Sequence, residues 1–71
     1  MSKLLDIHIG NLIRKAQKEK CISSRELAKR MDVHAVQIVR WRNSNDIKVG
    51  KLFQICNALD ISFEDFIALT D

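Results

Sequence analysis

Proline and tyrosine are absent from this chain, glycine occurs only at positions 10 and 50, and Trp41 is the single tryptophan. With no Asn-Gly, Gly-Gly or Pro-Gly pair to turn one strand into the next, hairpin-built folds have little support. Cysteine is sparse too. Cys21 and Cys56 lie far apart without a C-x-x-C spacing, which argues against a disulfide framework and for a reduced, cytoplasmic setting. Nothing reads as a secretory leader, and no apolar run approaches the roughly 20 residues that span a bilayer. His8, His34, Cys21 and Cys56 share no metal-ligand spacing, and there is no phosphate-cradling glycine loop or paired carboxylate. No metal, cofactor, small-molecule ligand or enzyme activity is expected. Cys56 reads as core, and Cys21 as an exposed thiol in a link with nothing nearby to make it a nucleophile.

What is present is charge, unevenly spread. Residues 1–51 hold all twelve Lys and Arg against five acids (Asp6, Glu19, Glu26, Asp32, Asp46), a net of +7. Residues 52–71 hold no base and four acids (Asp60, Glu64, Asp65, Asp71), a net of −4. A basic portion with an acidic tail suits a nucleic-acid reader, although a short chain can segregate its charges by chance. At 71 residues the chain has room for one domain, 1–71, burying roughly 60% of its unfolded surface.

Apolar periodicity predicts an all-α domain of five helices. Helix one spans about Leu5 to Lys18, with Leu5, Ile9, Leu12, Ile13 and Ala16 inward and Arg14, Lys15 and Lys18 wet. Ile22 tucks in after a short link. Ser23 with Glu26 three residues on is a capping box, opening a helix over Ser24 to Met31 with Leu27, Ala28 and Met31 on one face. Asp32 and Val33 break that pattern. Ala35 to Arg42 forms the next helix, with Ile38 and Trp41 inward. The run Asn43-Ser44-Asn45-Asp46 is a loop. Val49, Leu52, Phe53, Cys56 and Leu59 share a face of a fourth helix, and Ser62 with Asp65 caps a last one. Two helices joined as tightly as 24–31 and 35–42 hold the second out from the surface, as a DNA-reading helix-turn-helix does.

On the Leu27-Ala28 pair, the turn residue Val33, Ile38 and the Trp41-x-Asn43 ending, the stretch resembles the helix-turn-helix of lambda-repressor-like (Cro/cI, Xre) bacterial and phage regulators. Ile9 to Ile22 resembles that family's first helix and Leu52 to Phe66 its fourth and fifth. The resemblance implies a compact five-helix domain that acts as a transcriptional regulator, in the manner of a Cro-like repressor. It places base reading on Ala35, Val36 and Arg40, and phosphate contacts on Ser24 and Asn43. Two positions depart from the family: the usual Arg near the end of helix one is Gln17, and the usual Glu after the tryptophan is Arg42. The ion pair they form is therefore absent, and Arg42 reaches the DNA backbone or an acid such as Glu19 instead. Asp32 stands where Gly is usual and tolerates a left-handed backbone. His34 stands in place of a Ser or Thr cap, and is either simply exposed or a phosphate contact when protonated.

Counting about 100° per residue agrees with that placement: Val36 and Arg40 lie opposite Ile38 and Trp41, with Val39 on the flank and Gln37 at the edge. Valine suits a thymine methyl, and arginine the O6 and N7 of guanine. The same valines would also suit burial against another protein. Ser23, Ser24, Lys48 and Lys51 are further candidates for the phosphate backbone, because a helix amino terminus and free ammonium groups attract phosphate oxygens. One short helix contacts few base pairs, so a homodimer on a palindromic operator is expected. Ile55, Phe63, Ile67 and Leu69 are the candidates for that contact, with Phe66 in the core; a fully buried last helix is the alternative. A protein-interaction module, an antitoxin and a restriction-modification controller remain open as functions on the same scaffold.

Overall fold

The computed structural model describes residues 9–69, and among them it contains five α-helices and no strand. They are α1 (Ile9–Lys20), α2 (Ser24–Met31), α3 (Ala35–Arg42), α4 (Val49–Ala58) and α5 (Phe63–Ala68). The expected starts and ends of α2 and α3 are met. The expected inward Leu5, together with His8 and Asp71, lies outside the described residues.

Each boundary has a local cause. Ser23 is extended (φ −72°, ψ 163°) and its Oγ accepts the Glu26 N–H at 3.0 Å, tying down one of the free donors of α2. The reciprocal half of the capping box is not made, because the Glu26 carboxylate turns to Arg30 Nε at 3.1 Å. Ser62 caps α5 in the same way, accepting the Asp65 N–H at 3.0 Å. Asp32 ends α2 in the left-handed region (φ 57°, ψ 47°), donating its N–H to Ala28 and Lys29 carbonyls. Cys21 and Asp60 take the same conformation after α1 and α4 (φ 57° and 58°), two left-handed caps that carry no glycine to announce them.

The core gathers Leu12, Ile13 and Ala16 of α1, Leu27 and Ala28 of α2, Ile38 of α3, and Leu52, Ile55, Cys56 and Leu59 from α4 and its end, with Phe66 of α5. Ile22 joins it from the link, as expected. The helix-turn-helix pair packs α2 on α3, and α1 and α4 support α3 and α2 respectively. Hydrogen bonds between elements reinforce this: Arg30 Nη1 donates to the Ala58 carbonyl at 2.9 Å, and Lys15 Nζ to the Leu69 carbonyl at 3.0 Å. Both cations sit at carbonyls left free at helix ends, where the helix dipole favours positive charge.

On α4 the structure corrects the sequence reading. Ile55, expected to lie off the main face and meet a partner, is fully buried. Val49 and Phe53, expected in the core, are 60% and 52% exposed. The buried arc of Leu52, Ile55, Cys56 and Leu59 is rotated by roughly half of the 100° residue step from the face first counted. A flanked helix can hide only part of its circumference: α2 and α5 pack against α4, and Val49 and Phe53 fall outside the buried arc.

Candidate nucleic-acid interface

Helix α3 is eight residues long, so it spans about 12 Å. Ile38 is fully buried beneath it and Trp41 half-buried against the core, which fixes the roll of the helix about its axis. The opposite face then presents Val36 and Val39, 59% and 47% exposed, beside exposed Ala35 and Arg40. Gln37 is half-buried at the margin, where the sequence placed it. His34, at the amino end, is extended and exposed, and its side chain makes no capping bond. The first N–H groups of α3 are therefore left without a side-chain partner. The face offers branched methyl groups around one guanidinium, with uncapped amides at one end.

The anchoring of α3 centres on Ser24. Gln17 is almost wholly buried, and its Nε2 donates to the Ile22 carbonyl and to Ser24 Oγ, both at 3.2 Å. Arg42 Nη1 donates to the same Ser24 Oγ at 2.7 Å. One hydroxyl oxygen thus joins α1, α2 and the carboxyl end of α3. The two departures from the expected ion pair act together here, Arg42 engaging neither Glu19 nor any other acid among the described residues. Ser24 Oγ accepts twice, which leaves its single O–H free to donate outward. Gln17 Oε1 is the cost of the arrangement, a buried acceptor with no protein partner.

Around this network lies an open cleft of about 570 Å³ lined by Arg14, Gln17, Lys18, Cys21, Ile22, Ser23, Ser24 and Arg42. The profile of Cro/C1-type HTH DNA-binding domains matches residues 11–71 of the chain. The chain belongs to that family. No curated protein sequence and no solved structure gives a significant match. As a Cro/C1-type domain it is a DNA-binding protein whose helix-turn-helix is α2 and α3. No described helix is long and apolar enough to cross a membrane, and no cluster of three metal-ligating side chains occurs among the described residues.

The remaining expected residues fall on both sides of the motif. Asn43 caps α3 and is exposed, its Oδ1 accepting from Arg14 Nη2 at 2.6 Å. Arg14, expected only as part of a wet face, stands beside Asn43 and borders the cleft, which adds a further cation to this surface. The one signal in the sequence is that Arg14 stands one turn before Gln17. Lys48 is the exposed N-cap of α4 and carries no side-chain capping bond. Lys51 folds back, its Nζ 5.2 Å from the Trp41 ring centroid and 3.1 Å from Gln54 Oε1. It must leave Trp41 to meet a phosphate. Of the expected partner-facing residues, Phe63, Ile67 and Leu69 are half-buried against the core, and Phe63 meets the exposed Phe53 with the rings tilted and their centroids 4.6 Å apart.

Proposed function

We propose that this Cro/C1-type domain is a sequence-specific regulator of the repressor kind, acting in the cytoplasm, that inserts α3 into the major groove of a palindromic operator as a homodimer. The observation that carries the reading is the outward face of α3, where two exposed valines flank Arg40 while Ile38 is fully buried behind them. Exposed valines are costly in water and useful against thymine methyl groups; Arg40 suits guanine O6 and N7. Phosphate contacts from the O–H of Ser24, Ser23, Asn43, Arg42 and Lys48 position the domain without choosing the sequence. His34, Arg14 and a released Lys51 extend the same surface.

Selection of bound sites from random duplex DNA tests this directly, because it reports sequence, palindromy and half-site spacing of about 34–36 Å together. Arg40→Ala is expected to lose about 1–3 kcal/mol of preference at one base, while Lys48→Ala weakens all sequences alike and reduces the salt slope. An unchanged base preference in Arg40→Ala overturns the assignment of Arg40. Binding without any preference, or no salt-dependent binding at all, favours a protein partner for Val36 and Val39 instead.

A further inference from the structure

Val49 and Phe53 make an exposed apolar stripe on α4, which half-buried Phe63 continues onto α5. Val49 and Phe53 are one helical turn apart, and the Phe53 ring is tilted against Phe63, whose centroid lies 6.5 Å from that of the fully buried Phe66. The stripe is thus continuous with the core and rigidly backed. Beside it, Phe53, Cys56, Asn57, Ile61 and Phe63 line an open groove of about 440 Å³. Helix propensity does not explain two large apolar side chains left in water on a helix whose Leu52, Ile55 and Cys56 are buried.

We propose that this stripe is the contact between two copies of the chain, formed by α4 packing antiparallel on α4 of the second copy about a two-fold axis near Phe53. It rests on the palindromic-operator reading above and gives that reading its pairing surface. The charge at the two ends of the stripe selects the occupant. Lys48 stands at the amino end of α4, whereas Asp60 follows its carboxyl end and Glu64 flanks Phe63, all three exposed. An antiparallel pair sets the cation of each copy over the acids of the other, twice, and opposes the helix dipoles. A parallel arrangement, or a partner of uniform charge, leaves one end repelling. The stripe also lies on α4 and α5, so pairing leaves the valines and Arg40 of α3 uncovered. A standard interface buries about 800 Å² per partner. With 5007 Å² of surface in all, that is near one-sixth of the molecule, so α4 and α5 must both engage.

The test is sedimentation equilibrium of the full chain, alone and on duplexes carrying one selected half-site or the whole palindrome. The wild-type protein is expected to dimerise with concentration, and Phe53→Asp to remain monomeric over at least a tenfold wider range. Phe53 is half exposed, so this substitution spares the core; its far-ultraviolet circular dichroism should be unchanged, and it should bind a single half-site as the wild type does. On the palindrome it should lose cooperative filling of the second half-site. Because Lys48 is also assigned to the phosphate backbone, its charge exchange is read without DNA, independently of Phe53: Lys48→Glu should weaken association, and adding Glu64→Lys should restore it. Association of Phe53→Asp equal to wild type, wild-type monomers on the palindrome, or no rescue by the charge exchange each overturns the surface. Dimers that depend on Phe53 but show no DNA preference uphold the surface and overturn the operator reading.

Discussion

Gly10 marks a close approach of α1 to the carboxyl end of α3, and replacing it with alanine tests that claim by sign. The residue is buried near the described start of α1, its N–H donating to the Ser44 carbonyl at 2.9 Å. A Cβ there would overlap the carbonyl carbon and oxygen of Arg42 and stand 3.0 Å from the Ser44 oxygen. All three atoms are backbone, at the carboxyl end of α3, so no side-chain rotation can relieve the overlap; α1 and α3 must move apart. Overpacking of this kind costs about 1–3 kcal/mol. The stretched Gly10 to Ser44 bond adds about 1 kcal/mol. Against these, alanine's better helix propensity returns at most about 1 kcal/mol. Gly10→Ala should therefore lose roughly 1–3 kcal/mol and lower Tm by roughly 5–20 °C at this size. Gly50 supplies the contrast, since a Cβ there meets nothing within 4 Å. Gly50→Ala should gain about 0.5 kcal/mol. Thermal unfolding of both variants in dilute protein, where association contributes little, is the assay. A Gly10→Ala domain as stable as the wild type or more so would refute the close approach of α1 to α3. If the approach is real, the variant also binds operator DNA more weakly at temperatures where it stays folded.

Ser24→Ala should cost about 1–2 kcal/mol in stability and weaken DNA binding further, because Gln17 and Arg42 lose their shared acceptor and the backbone loses an O–H donor; denaturant titration and operator binding measure the two effects separately. Ser23→Ala and Ser62→Ala each remove a cap that accepts an N–H at 3.0 Å, and each should cost about 1 kcal/mol in the same titration. Burial pushes the Cys56 thiol above its ordinary value of 9.0. The neutral thiol thus favours the folded state fully below pH 9.0, and that contribution is lost as pH rises through the raised folded value. Unfolding followed against pH should accordingly show a steeper alkaline loss in the wild type than in Cys56→Ala, and equal slopes would count against that burial.

Much of the architecture was legible because local signals and apolar period agreed. Ser23, Ser62 and Asp32 mark boundaries by side-chain chemistry, and Ile38 with Trp41 fixes the roll of α3, so the outward Val36, Val39 and Arg40 follow from counting. The rolls of α4 and its partners did not follow. Val49, Leu52, Phe53, Ile55, Cys56 and Leu59 offer more apolar positions than one buried arc can hold. Which of them stay outside depends on where α2 and α5 come to rest, which is a tertiary fact. The cluster at Ser24 was hidden for a related reason: Gln17, Ser24 and Arg42 are neighbours only once three helices are assembled. Sequence reading identified the two altered positions and the serine separately, yet not that the serine joins them.

That cluster also changes what the missing ion pair means. An Arg–Glu pair beneath the motif would depend on an ionised carboxylate, and would weaken as pH fell toward the carboxylate range. Here the link runs from a guanidinium, through a hydroxyl, to an amide. No carboxylate takes part, so protonation of a carboxylate cannot break the seating of α3. The exchange leaves Gln17 Oε1 unpaired in the interior, a penalty that the two Nε2 bonds offset only in part. It also places a positive charge at the carboxyl end of α3, where the helix dipole favours it and where a carboxylate would be opposed. The same guanidinium borders the open cleft beside Arg14 and Lys18. The cluster of Gln17, Ser24 and Arg42 therefore holds α3 without a carboxylate and leaves a guanidinium at the edge of the open cleft.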